Sequence, residues 1–294
     1  MSRSKSIRRS GLADTNGQKT ARNFIAFFLF ISIVALSMSV CSKVSFINSE
    51  KYAQIFINEK YVSALYNDVH QYAYDICNEC SLPEDSVDEV ITYLSIYNIE
   101  EAYALGNLTD SPQYTKTTYD DRITELEKNL SDSTNDMITK YKLDTVENQA
   151  DMVNAFSSKI SDYIQSKVEF RYMDKLETIS NLGKTVSVVM IVIFSILTVV
   201  LALITFSIGN KKYRGLRAVA YSFNASAILQ FGFVIAMQII KQIKTLVIYP
   251  TYLCDSVMSF VNSSILDVAV SAFISIGISL IIAVTVWKLK RNEK

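Results

Sequence analysis

The sequence predicts an all-α membrane protein: a four-span transmembrane helical bundle with a large extracytoplasmic helical, four-helix-like domain inserted between spans one and two. Three observations predict it. Four uncharged apolar runs each approach or reach the roughly 20 residues that a helix needs to cross a bilayer. Basic residues cluster on one side of these runs, alternating along the chain. Between the first two runs lies a long acidic stretch whose apolar residues recur at helical spacing.

The runs are Phe24–Val40, Val186–Ile208, Ala218–Ile240 and Val268–Trp287. None carries Lys, Arg, Asp, Glu or His in its interior, which marks transmembrane helices. The first follows a basic leader (Arg3, Lys5, Arg8, Arg9, Lys19, Arg22), a pattern that cleaved signal peptides share. Its core is longer than the usual signal core, so we read it as a retained span.

The flanks orient the chain. Residues 1–22 hold six Lys/Arg against Asp14 alone. The turn after span two holds Lys211, Lys212, Arg214 and Arg217 with no acid, and the tail holds Lys288, Lys290, Arg291 and Lys294 against Glu293. All three belong inside by the positive-inside rule. The expected order is then a basic cytoplasmic tail (1–22), span 1 (23–42) and an acidic outer domain (43–183). Span 2 (184–209), a cytoplasmic loop (210–217) and span 3 (218–240) follow. An outer loop (241–267), span 4 (268–287) and a basic cytoplasmic tail (288–294) complete the chain. Trp287 and Tyr213 are expected at the inner boundary, and Tyr249 and Tyr252 near the outer one. The expected localisation is the plasma membrane of a bacterium.

Residues 43–183 hold 25 Asp+Glu against 12 Lys+Arg, a net of −13, within a chain whose total balances at 29 against 29. The balanced total argues against a nucleic-acid binder. A hydrophobic share of 50% excludes a disordered chain. An acidic outside on a basic inside is also what solubility and insertion produce, so the charge need not report a cationic ligand.

The outer domain reads as helices. Ile55, Val62, Val69 and Ile76 stand seven apart, with Leu65 and Tyr72 on the same stripe. No Pro or Gly intervenes after span 1, so one helix of about 55 Å is expected over residues 44–80 at ~1.5 Å per residue. A second helix starts near Ser81 or Pro83 and carries Val87, Val90, Ile91 and Leu94. Gly106–Pro112 reads as a loop. Helix three covers 117–141, with Ile123, Leu126, Leu130, Met137 and Tyr141 on one side. Asp144 and Glu147 form a capping-box-like pair for helix four. That helix carries Val153, Phe156, Ile160, Ile164, Val168 and Leu176, and runs on to Gly183. The expected bundle tip, Leu82–Asp88 with Gly106–Thr118, is the best place for an outward contact, because loops on a rigid scaffold commonly bind. Leu82, Glu84, Asp85, Asp88, Asn107 and Asp110 are its candidate contact residues.

Few residues offer chemistry. Cys41, Cys77, Cys80 and Cys254 all fall on the outer side, where disulfides are possible. Cys77-Asn-Glu-Cys80 closes a helix rather than opening one, which disfavours a redox thiolate. His70, Cys77 and Cys80 offer three ligands that could hold zinc with a carboxylate as the fourth, but the expectation is no metal and no cofactor. Span 3 sets Ser222, Ser226 and Gln230 four apart, with Asn224 and Gln238 nearby; span 4 sets Ser271, Ser275 and Ser279 four apart. Such stripes either pack helices closely or line a polar conduit through Asn224, Gln230 and Gln238. No ionisable residue sits mid-membrane, as ion pathways usually require. P-loop, HExxH and GxSxG motifs are absent, so no enzyme is expected.

One span, a large outer domain and three further spans with both termini inside are similar in layout to the FtsX and MacB permease family. That resemblance implies a coupling helix between spans two and three. Here Asn210–Arg217 is too short to form one. Spans 1 and 2 with residues 43–183 also resemble the sensor module of bacterial chemoreceptors, without the signalling helices that follow it there. Both likenesses are of layout alone and carry no residue roles. The expected partners are the bilayer and another envelope protein or a second copy. The expected function is ligand or partner binding coupled to a four-span base, with a homo-oligomeric channel lined by spans 3 and 4 as the alternative.

Overall fold

The computed structural model describes residues 15–142, 149–208, 211–243 and 251–292, and every regular element among them is helical. The helices are α1 (Asn16–Cys41), α2 (Ser49–Phe56), α3 (Glu59–Cys80), α4 (Asp85–Val90) and α5 (Tyr93–Leu108). They continue with α6 (Lys116–Tyr141), α7 (Gln149–Val168), α8 (Met173–Ser207), α9 (Lys212–Ile243) and α10 (Thr251–Asn292). The chain divides into two compact units. A span unit takes Met1–Ile47, Leu182–Thr245 and Asn262–Lys294; a polar unit takes Asn48–Asn181 and Leu246–Val261.

The span unit holds the apolar stretches of four helices long and apolar enough to cross a membrane. Thr15 and Gln18 open α1 with a reciprocal capping box, each side chain accepting the other's backbone N–H at 3.2 and 3.0 Å. Leu29 and Ile33 of α1 bury against Val219 of α9, with Leu201, Phe223 and Ile282 around them. Hydroxyls fasten the helices to each other. Ser32 of α1 bonds Thr198 of α8 at 2.8 Å. Ser222 of α9 donates to the Ala26 carbonyl of α1 at 2.8 Å, and Ser279 of α10 to the Ala220 carbonyl of α9 at 3.0 Å. Gly215 permits a close approach to backbone: a Cβ there would stand 2.7 Å from the Phe206 Cα and the Thr205 carbonyl oxygen.

In the polar unit α3, α5, α6 and α7 form a ring in which each packs on two neighbours, with α2 and α4 as short additions. The core is continuous from Val62, Leu65 and Val69 through Ile96 and Leu130 to Ile160 and Ile164.

Several sequence expectations need correction. The helix expected over residues 44–80 is broken twice. A single π-turn covers Ser42–Phe46, and then Asn48 and Asn58 each start a new helix by accepting backbone N–H groups at their side-chain oxygens. Two asparagine caps thus do what neither Pro nor Gly was present to do. The second expected helix is also two, because Thr92 caps α5 through a capping box with Ser95, leaving Leu94 63% exposed. Gly106 lies inside α5 rather than in a loop, packed against the Thr115 carbonyl. On α6 the buried stripe ends on Ile138, and Tyr141 is exposed. The fourth helix stops at Val168 and restarts at Met173. Residues 251–267, expected in a loop, are helical, and residues 251–261 belong to the polar unit. The pair Asp144 and Glu147 lies outside the described residues, as do Tyr249 and the basic residues before Thr15.

Candidate functional site

An open groove of about 430 Å³ lies in the polar unit, where the end of α7 and the turn after it meet the start of α3 and Leu253. Its walls include Tyr61, Lys167, Phe170, Arg171, Tyr172 and Leu253. The turn exists because the helix is interrupted chemically. The Phe170 N–H donates 2.9 Å to the Tyr103 hydroxyl on α5, outside the helical pattern. Phe170 then docks its ring 5.6 Å from Phe56, and Tyr172 stands 5.7 Å from Phe170.

Cations on this rim are held by aromatic faces. Lys167 pairs with Asp68 at 2.8 Å and lies 4.8 Å over the Tyr163 ring. The Asp68 hydrogen bond holds its ammonium above the usual lysine range. Tyr163 is itself stacked flat on Tyr72 at 3.7 Å. The guanidinium of Arg171 and the ammonium of Lys175 lie 5.9 and 5.2 Å from the Tyr172 ring.

Glu100 is the most unusual group in this unit. It is fully buried on the core face of α5, and neither carboxyl oxygen has a hydrogen-bond partner among the described residues. Burial pushes its carboxyl well above the usual range, so the neutral acid is the favoured form. Four tyrosines on different elements would feel the charge of its ionised form: Tyr61, Tyr103, Tyr119 and Tyr252. Burial is the main cause that raises each of them, to about 12 for Tyr103 and Tyr252. Tyr61 therefore belongs both to the groove wall and to the Glu100 surroundings. The Tyr252 hydroxyl is buried without a hydrogen-bond partner among the described residues as well. Such an arrangement can donate hydrogen bonds, stack on rings and attract an anion at Arg171, while Glu169 in the same wall and Asp68 on Lys167 offset part of the positive charge.

The residues expected at the bundle tip are not one site. Asp85 receives the Tyr141 hydroxyl at the end of α6, whereas Gly106 lies beside Thr115 at its start. The segments 82–88 and 107–110 therefore sit toward opposite ends of the 26-residue α6, about 39 Å apart at ~1.5 Å per residue. Leu82 is buried in the core. Asn107 donates to its own helix at the Tyr103 carbonyl, 2.8 Å away. Asp88 accepts from Tyr74 at 2.5 Å and lies 3.0 Å from His70 Nε2. Glu84 and Asp110 are exposed.

His70 thus faces Asp88 and not Cys77 and Cys80, and no group of three metal-ligating side chains converges among the described residues. No disulfide joins the cysteines. Cys77 is buried in the polar core, which pushes its thiol up to about 12, and Cys80 is half-buried. Cys254 lies in the polar unit and Cys41 in the span unit, where its thiol meets the Asp267 carbonyl at 3.7 Å. Tyr252, expected near the outer membrane boundary, packs its ring 5.1 Å from Tyr61.

The intramembrane polar stripe is divided. Ser222, Ser226 and Gln230 are buried on one face of α9, with Gln230 Nε2 donating 2.9 Å to Ser226. Ser275 and Ser279 of α10 are buried as well, and Ser271 is half-buried. Asn224 and Gln238 are exposed on a different face, so the three side chains expected to line a conduit together do not share one.

Comparison with protein-family models, with curated proteins and with solved structures finds no match to this chain. The groove and Glu100 escaped the sequence reading. One signal for Glu100 was present: it falls four residues after Ile96 and four before Ala104, on the apolar side of its helix.

Proposed function

We propose that this chain is a non-enzymatic integral membrane protein of a bacterial envelope. Its polar helical unit lies outside and binds a ligand or partner, and its four-span unit anchors that event or passes it to another membrane protein. The observation that supports this reading most is the groove at Tyr61, Lys167, Phe170, Arg171 and Tyr172. Its volume suits a small molecule or a protruding side chain, and aromatic walls with a few placed charges are the usual composition of a binding site. The chemistry favours an apolar or ring-shaped body with an acidic end.

The test is native mass measurement of the chain purified gently from its own membrane. The expected result is a heterocomplex or a bound small mass that is lost in Arg171→Glu/Tyr172→Ala, with helicity and melting temperature unchanged. A homo-oligomer carrying nothing else overturns this reading and favours the second one, a self-assembled channel or transport component. The observation on that side is the exposure of Asn224 and Gln238. They are 14 residues apart, hence within about 40° on one face of α9. Polar side chains on an apolar helix are best covered by another protein surface.

A further inference from the structure

Beyond this reading, the span unit carries a second cleft, of about 540 Å³, between the first turns of α1, the start of α9 and the end of α10. Five cations line it: Lys19 and Arg22 from α1, Arg214 and Arg217 from α9, and Lys290 from α10. No Asp or Glu is among the lining residues. The positive-inside rule asks only that cations flank the spans. It does not ask that three helices aim theirs into one cavity, where like charges repel.

One of these cations is held in place. The Arg217 Nε donates 2.6 Å to the Tyr221 hydroxyl, and the guanidinium lies 5.2 Å from the Tyr221 ring. That clamp reduces the ordering cost of a bidentate contact to a phosphate. The cleft borders apolar surface: Phe24, one residue from the lining Asn23, is 64% exposed, and Tyr221 itself is 55% exposed. A polar, cationic hollow next to exposed apolar rings is the profile of a membrane–water interface. The volume is far larger than a lone phosphate needs.

We propose that this cleft binds the phosphate of an anionic phospholipid headgroup, whose acyl chains run along the apolar surface below it. Phosphate is the shared chemistry, and the lipid is its source because apolar surface adjoins the cations.

The test reconstitutes the full chain into lipid nanodiscs of phosphatidylcholine with phosphatidylglycerol or cardiolipin, and counts retained lipid by native mass spectrometry. Wild type is expected to keep anionic lipid at least ten-fold over phosphatidylcholine. Lys19→Ala/Arg217→Ala/Lys290→Ala is expected to weaken that retention about 100-fold, at about ten-fold or less per cation. Lys212→Ala/Lys288→Ala removes charge from the same end of the spans but not from the cleft, and is expected to retain lipid. Equal loss in both variants overturns the site and leaves general surface charge. A triple variant that keeps the lipid also overturns it. Inorganic phosphate is the second arm: displacement of lipid at millimolar phosphate, without preference for anionic over zwitterionic lipid, overturns the lipid assignment. Melting temperature is followed in each variant, and Arg217→Lys, which keeps the charge, is expected to retain most binding.

Discussion

The two units of this protein bury different mixtures of residue. In the polar unit Val62, Leu65, Val69, Leu130, Ile160 and Ile164 are all at 0% exposure. In the span unit Ser226, Gln230, Ser264 and Ala272 reach that level beside Leu29 and Val268, while Ile228, Ile281 and Leu203 stand 73%, 69% and 60% exposed. Both units are built only from helices, so secondary structure does not explain the difference. Solvent does. In water, removing apolar surface supplies about 25 cal/mol per Å², so large aliphatic side chains go inside. In lipid that drive between helices vanishes, and small residues with hydroxyl bonds take the inside positions. The inverted packing of the span unit is the arrangement that a bilayer selects.

The sharpest way to break this comparison is a matched pair of truncations. Leu65→Ala in the polar core is expected to cost about 2–5 kcal/mol, the transfer term plus the cavity left among its neighbours. Leu203→Ala, on the outward face of α8, is expected to leave stability in a bilayer nearly unchanged. Thermal melting of the reconstituted chain reads both. Equal losses would mean that Leu203 is covered by protein, which would point to an oligomer.

A smaller effect separates the units by pH. Glu100 is buried without a hydrogen-bond partner among the described residues, and burial holds its carboxyl well above the usual range in the folded chain. The unfolded chain ionises near the ordinary value, and between the two values it binds fewer protons than the folded one. The stability that Glu100 contributes is therefore fullest in acid. It falls as the pH rises from about 4.5 toward the folded value, at up to about 1.4 kcal/mol per pH unit. Glu100→Gln stays neutral and is expected to flatten that slope. The span unit supplies no comparable group to this window among its described helix interiors. Denaturation from pH 4.5 to 7.5 decides it: a slope that survives in Glu100→Gln assigns the pH dependence to other acids.

The same contrast explains what could be read in advance. The spans were legible because uncharged runs of that length have one main physical use. The long polar helices were legible from periodicity: Ile123, Leu126 and Leu130 fall on the buried side of α6 as expected. Helix ends were less so. Asn48, Asn58 and Thr92 act through single side-chain bonds to neighbouring amides, and such residues also occur inside helices, so spacing alone does not reveal the breaks. The groove was not legible at all. It joins residues from α3, α7 and α10, and it depends on a hydrogen bond from Phe170 to Tyr103 across 67 positions. The polar stripe was half legible. Four-residue spacing correctly joined Ser222, Ser226 and Gln230 on one face, but no spacing rule says which face is covered.

The smallest effect tests how the span unit holds itself together. Ser222 donates to the Ala26 carbonyl and Ser279 to the Ala220 carbonyl, so two hydroxyls link α1, α9 and α10 in series. In lipid such bonds average about 0.6 kcal/mol, because the separated helix finds other partners, including its own backbone. Ser222 already shows that alternative, with the Ala218 carbonyl on its own helix 3.2 Å away. Ser222→Ala is therefore expected to cost less than Ser279→Ala, since its hydroxyl gives up the smaller net gain. Each change keeps a small side chain at the contact, so the helices still approach closely and packing is preserved. Ser279→Leu adds three carbons at a position that is only 2% exposed and is expected to cost more than either alanine. Steric-trap or denaturant unfolding in bicelles can rank the three. If Ser279→Ala alone matched the loss from Leu65→Ala, hydrogen bonding rather than close packing would be the principal force in the span unit.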